Sequence, residues 1–166
     1  AVGNGGNVEL RASNLAMEDG AVLNASTFGQ GNAGNVLVDV TDTVRLVGSD
    51  PIGVGATGLL SDISAGGQGQ GGNVEVRARN LEVLDGAQLS AAVVGTGNAG
   101  NVLVDITETA RFVGTDPAKN SASGILSSIE PGGRGQGGNI EVRSRNLEVL
   151  DGAQLSTAIA GVGDAG

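Results

Sequence analysis

The chain has no cysteine, histidine, tryptophan or tyrosine, and a single lysine, Lys119. Without cysteine there is no disulfide and no thiolate nucleophile. Without either residue the usual zinc ligands and the usual acid–base group at neutral pH are gone too. Nine Lys and Arg stand against eighteen Asp and Glu, a net charge of −9. Nucleic-acid binding needs clustered cations, so this balance disfavours such a partner. No apolar run approaches the ~20 residues of a membrane-spanning helix, and no membrane insertion is expected. Phe28 and Phe112 are the only aromatics. The apolar residues are Val, Ile, Leu and Ala, which suits a narrow, evenly filled interior better than a broad core. Glycine is abundant at 31 residues but does not recur at every third position, which excludes collagen. No signal peptide opens the chain, which begins inside a repeat and reads as a slice of something longer.

What is present is one phrase, GxGx(A/G)GN followed by a strand-like run. It starts at Gly29, Gly67, Gly95 and Gly133, with partial copies at Gly3 and Gly161. Its final Asn falls at Asn7, Asn35, Asn73, Asn101 and Asn139, so the spacings alternate between 28 and 38 residues. A short and a long spacing together make a 66-residue unit: NVEVRARNLEVLDGAQLS at Asn73 returns as NIEVRSRNLEVLDGAQLS at Asn139. The segments are residues 7–34, 35–72, 73–100, 101–138 and 139–166, each read as one coil. The 66-residue repeats are 7–72 and 73–138, with 139–166 a partial third. Repeats of this kind build quasi-one-dimensional arrays, so 1–166 is expected to be one stretch of a longer solenoid.

Within a short segment three strands are predicted: Val74–Arg79, Leu81–Leu84 and Ala87–Val93. The first alternates apolar and charged residues, the period-two signature of a strand. Bends are expected at Asn80 and at Asp85-Gly86, which tolerate positive φ, and at the glycine-rich stretch. Long segments keep the first two strands (Val102–Thr107 and Ala110–Val113). They then insert about ten residues in loops 48–58 and 114–124, which begin with Asp-Pro turn signals. No stretch has a capped 3.6-residue apolar period. Strands that recur in one direction once per coil must pair in parallel. The expectation is therefore an all-β fold, a right-handed parallel β-helix of five coils, the hand following the general crossover preference. The interior should hold Val74, Val76, Leu81, Val83, Leu89 and their equivalents one repeat away, with Glu75, Arg77 and Glu82 outside.

Stacking in register makes columns at ~4.8 Å spacing. The fourth residue after each Asn gives Arg11, Asp39, Arg77, Asp105 and Arg143, alternating in sign. The second strands give Ala16, Arg45, Glu82, Arg111 and Glu148, alternating from Arg45 onward. Opposite charges in neighbouring strands favour this register, by roughly 0.2–1 kcal/mol each. The Asn column reads either as a stacked amide ladder, each side chain bonded to the coils above and below, or as a row of turn residues in the left-handed region.

The glycine phrase does not carry dinucleotide chemistry, because it precedes a strand, whereas that fingerprint follows a strand and opens a helix. Nor does it fit the calcium nonapeptide: the period differs, and Gln70 or Gln136 stands where Asp is required. No cofactor is expected, with calcium at scattered carboxylates left open as the alternative. A hydrolase or lyase site would be a unique cluster, whereas the outer polar residues here repeat from unit to unit, so no enzyme is expected. Asp50, Asp116, Lys119, Glu130 and Arg134 lie outside the ladders and read as solvated loop charges. An ice-binding Thr column fails, because Thr41 and Thr107 share theirs with Ser13, Arg79 and Arg145.

Units such as NLEVLDGAQLS, NASTFGQGNAGNV and SGILSSIEPGGRGQGGNI resemble, along the whole chain, the repeats of filamentous-haemagglutinin-like exoproteins, especially cyanobacterial ones. The resemblance implies a right-handed parallel β-helix that is secreted or held at the cell surface. It also implies two-partner secretion through an outer-membrane β-barrel transporter. The expected role is the structural shaft of a fibrous adhesin or extracellular filament, continued by further coils of the same polypeptide. The alternative is a binding module that recognises glycan or a neighbouring filament through loops 48–58 and 114–124.

Overall fold

The computed structural model describes residues 2–53 and 55–166; Ala1, and Val54 of the first inserted loop, lie outside them. The described residues contain strands and turns and no helix. The strands are β1 (Val8–Glu18), β2 (Val22–Asn24), β3 (Val36–Val47), β4 (Gly58–Leu60), β5 (Val74–Leu84), β6 (Gln88–Ser90), β7 (Val102–Val113), β8 (Thr115–Asp116), β9 (Ser121–Ala122), β10 (Gly124–Leu126), β11 (Arg134–Gln136), β12 (Ile140–Arg143), β13 (Asn146–Leu150), β14 (Gln154–Ser156) and β15 (Val162–Asp164). Two parallel sheets dominate. One runs β1-β3-β5-β7, with β12 and β13 both pairing with β7; the other runs β2-β4-β6-β10-β14. Each segment of the chain thus hydrogen-bonds to the segments before and after it. Single parallel bridges continue the same stacking at Thr27, Ile63, Val93, Ile129 and Ile159, and at Val2, Gln30, Gln68, Thr96 and Arg134.

Alternation decides which side chains go in. In β5, Val74, Val76, Leu81 and Val83 are wholly buried, as is Leu89 in β6, while Arg77 is exposed and Glu75 and Glu82 are partly so. The inward residues of the two sheets merge into one apolar cluster around Val38, Val76, Val104, Leu59, Leu89 and Ile125, with Phe112 its one aromatic member. A smaller cluster stacks Ile63, Val93 and Ile129. Full burial of one such side chain stabilises by about 1.5–3 kcal/mol, so the interior outweighs any surface pair. The equivalents in the first and last segments depart from the expectation: Val8, Leu10, Leu15 and Leu23 are only half-buried. Leu147, Val149 and Leu155 are 48%, 39% and 36% exposed, because no segment stacks on their far side.

Four features differ from the sequence reading. The first two predicted strands are continuous through the bend in segments one to four. There the backbone stays extended and bulges outward (Ala12 to Asn14 against Val40 to Thr43), and none of these Asn has positive φ. The third predicted strand shrinks to Gln88–Ser90. Beyond it the Ala92 N–H donates to the Asp62 carboxylate instead of to a strand carbonyl, which interrupts the ladder until Val93. The glycine stretch is itself paired, Arg134–Gln136 with Val162–Asp164. Finally, the extra residues of the long segments are not all in the loop. Val36 pairs with Val74, 38 residues on; Val47 with Leu84, 37 on; Gly58 with Gln88, 30 on; Gln68 with Thr96, 28 on. One extra residue sits in the bend, seven in the loop and two ahead of the glycine turn. The loops are hairpins: β8 pairs antiparallel with β9, and Ser49 with Ala56.

Candidate functional site

The glycine turn is where successive segments come closest. Gly31, Gly69, Gly97, Gly135 and Gly163 have φ between 139° and 159°. A Cβ on Gly97 would lie 1.6 Å from the carbonyl oxygen of Gly69, and one on Gly135 1.7 Å from that of Gly97. A second column, Gly34, Gly72, Gly100 and Gly138, does the same: a Cβ on Gly100 would be 1.9 Å from Gly72 O. Backbone touches backbone at these positions, which is why both hold glycine in short and long segments alike.

The Asn column forms a one-way ladder. Each side-chain oxygen accepts the backbone N–H of the next Asn: Asn7 Oδ1 from Asn35 (2.8 Å), Asn35 from Asn73 (2.8 Å), Asn73 from Asn101 (2.9 Å) and Asn101 from Asn139 (2.9 Å). One amide-to-amide bond accompanies it, from Asn35 Nδ2 to Asn7 Oδ1. A second ladder, absent from the sequence reading, runs three residues earlier: Asn4 Oδ1 accepts from Asn32 N–H, Asn32 from Gln70 and Asn98 from Gln136. Its signal was the Asn or Gln at a fixed distance before each ladder Asn. The same device recurs at Asn14 and Ser26, which accept from the N–H of Thr43 and Asp62. Each of these bonds satisfies a backbone N–H that leaves the strand ladder at a corner.

The charged columns pair in the register read from sequence. Arg11 lies opposite Asp39, Asp39 opposite Arg77, Arg77 opposite Asp105 and Arg143 opposite Asp105. Arg45 stands between Ala16 and Glu82, and Arg111 between Glu82 and Glu148. The close contacts follow side-chain length rather than the column alone. Arg77 turns back to Glu75 (2.5 Å) and Arg143 to Glu141 (2.6 Å), because Asp is too short to meet them; Arg11 reaches Asp39 only at 4.0 Å. In the second column Arg45 bridges Glu18 (2.9 Å) and Glu82 (3.2 Å), and Arg111 meets Glu148 (3.1 Å). These groups are exposed, apart from the half-buried Glu75 and Glu82, and each pair contributes under about 1 kcal/mol.

The hairpin edge gathers the charges left outside the columns. Asp50 accepts the Ile52 N–H (3.0 Å), and Asp116 the Ala118 N–H (2.9 Å), each closing its own Asp-Pro turn. The carboxyl of Asp50 is held below the usual range, chiefly by the Ile52 and Gly53 N–H groups, and that of Asp116 chiefly by the Ser49 hydroxyl. Lys119 Nζ donates to the Asp50 carbonyl. These side chains are therefore engaged rather than merely solvated. Glu130 accepts from Ser128 Oγ at 2.6 Å, while Arg134 is exposed beside the glycine turn. A cleft of about 350 Å³ between the hairpins is lined by Asp50, Asp85, Asp116 and Lys119.

Sequence reading passed over Asp62. Its Oδ1 accepts from Ser90 Oγ (2.6 Å) and from Ala92 N–H (2.8 Å). Burial pushes its carboxyl above the usual range, against those two hydrogen bonds, and the nearby Glu130 adds to the rise. It also passed over the hydroxyls of the long segments. Thr57 and Ser123 accept from the N–H of Gly20 and Gly86, and Ser61 and Ser127 donate to Gly34 O and Gly100 O. Among the described residues, no three Asp or Glu side chains gather closely enough to hold a metal ion.

Comparisons of this chain with family models, with curated proteins and with solved structures find no match.

Proposed function

We propose that the chain is a right-handed parallel β-helix and serves as a structural, non-enzymatic shaft segment of a secreted or cell-surface adhesin or filament. The observation that carries this reading is the repetition of the outer surface. Arg, Asp, Glu and Asn recur in columns that face the next segments of the same chain, and the Asn ladder and the Arg45 and Arg111 pairs bond across segments. Parallel stacking at ~4.8 Å per segment makes length the product of repeat number. The right hand follows from the crossover preference of parallel strands. An acidic surface of net charge −9 keeps neighbouring rods apart in solution. Export by two-partner secretion through an outer-membrane β-barrel transporter, and continuation by further coils, rest on the resemblance of the repeats. A second reading, recognition of glycan or a neighbouring filament, has its support in the cleft between the hairpins.

Immunogold labelling of intact source cells with antibody raised against residues 1–166 tests the proposal. Gold along surface fibres is the expected result. Label confined to the cytoplasm of permeabilised cells would overturn it.

A further inference from the structure

We propose that the two inserted hairpins form a longitudinal strap, fastening one long segment to the next across the short segment between them. The short segment 73–100 lies between the long segments 35–72 and 101–138, and its Asp85-Gly86 turn sits under both hairpins. Two contacts skip it altogether: Ser49 Oγ donates to Asp116 Oδ2, and Lys119 Nζ donates to the Asp50 carbonyl. These join residues 67 and 69 apart in sequence, about one full repeat.

The enclosed turn is held from both sides. Gly86 N–H donates to Ser123 Oγ (2.8 Å) at the base of the second hairpin, and Gln88 N–H to Thr57 O (2.8 Å) at the base of the first. Gln88 Nε2 also donates to Ser121 Oγ (2.9 Å) in the second hairpin. A Cβ on Gly86 would lie 2.7 Å from the Asp116 Cβ, so the hairpin rests directly on the turn.

The two hairpins have different roles. Lys119 occupies the position of Gly53 one repeat earlier. A Cβ at Gly53 would fall 1.8 Å from Asp50 Oδ2, so a side chain there would need the Asp50 carboxylate to turn aside. The first hairpin presents the Ser49 hydroxyl and the Asp50 carbonyl, and the second supplies the carboxylate and the ammonium that engage them. The only lysine of the chain is thus a fastening residue, and segments two to four open as one unit.

Lysine-specific endoproteinase tests this directly, since Lys119 is its single site in the chain. Cleavage of a folded protein follows the population of the open form when opening is fast. Loss of one inter-hairpin hydrogen bond should raise that population by about threefold to tenfold. Ser49→Ala leaves every bond within the second hairpin in place. It is expected to speed cleavage at Lys119 by that factor and to speed hydrogen exchange of the Gly86 and Gln88 amides in parallel. Lys119→Met should give the same exchange change. Wild-type rates in Ser49→Ala on both readouts would overturn the strap. Faster cleavage with unchanged exchange at Gly86 and Gln88 would also overturn it, because the contact would then be private to the hairpins.

Discussion

Gly97→Ala puts a methyl group where the backbones of two segments meet. The structure gives two separate penalties. At φ 145° an L-residue is in a region that glycine occupies almost alone, which costs about 1–3 kcal/mol. The new Cβ would also lie 1.6 Å from Gly69 O and 2.8 Å from Gly69 C, both backbone atoms that no rotamer change can move. Relieving an overlap of that kind in a packed stack costs about 1–3 kcal/mol more. The combined loss should be about 2–6 kcal/mol. Gly132→Ala separates the two contributions. Gly132 also has positive φ, 91°, but a Cβ there meets nothing within 4 Å, so only the conformational penalty applies, about 1–2 kcal/mol. Urea unfolding of both variants, followed by far-UV circular dichroism, reads the difference. Gly97→Ala should be the less stable by at least about 1 kcal/mol. Equal midpoints for the two would refute the claim that the glycine column exists for backbone contact.

Leu89→Ala removes a wholly buried side chain paired in register with Leu59 and Ile125, and should cost about 2–5 kcal/mol by the same assay. Asn73→Ala deprives the Asn101 N–H of its acceptor at an exposed corner where water can replace it; a loss of about 1 kcal/mol, with faster exchange of the Asn101 amide, is expected. For Asp62 the folded state raises the carboxyl pKa, so the charged form opposes folding and stability is lost as pH rises through the folded value. Asp62→Asn keeps an oxygen acceptor for Ala92 N–H, and should raise the melting temperature at pH 7. The gain should shrink as pH falls below the folded pKa of Asp62 and vanish below its unfolded value. A melting temperature lowered equally at all pH values would contradict that assignment. Arg45→Ala breaks two exposed ion pairs and should cost under about 1 kcal/mol, less still at high salt.

How much was legible depended on whether a feature forms a column. Arg11 to Arg143 and Arg45 to Glu148 recur at fixed spacings, so sign alternation alone gave the pairing that the strands adopt. The buried faces followed from period-two alternation in the same way. Asp62 was missed because its repeat mate is Ser128 and the neighbouring carboxylate moves to Glu130, so no column marks the position. The extra residue in the bend of the long segments, at Thr41–Asp42 and Thr107–Glu108, was hidden because adding an outward residue leaves the inward pattern on either side intact. The hairpins were beyond pattern reading, since two-residue antiparallel pairs such as Thr115–Asp116 with Ser121–Ala122 carry no periodicity. The glycine columns were visible as turns, but their reason lies in three dimensions: the carbonyl of one segment occupies the space a side chain would need in the next.

The central claim is that length grows by one thin layer per segment. Tandem chains of two, four and eight copies of residues 73–138, examined by small-angle X-ray scattering, test it most directly. Each added copy contributes one short and one long segment, and so about 10 Å of length at unchanged cross-section. Maximum dimension rising linearly by that increment, with a constant cross-sectional radius, is the predicted result. A radius of gyration that grows with chain length as for compact globules would contradict the account.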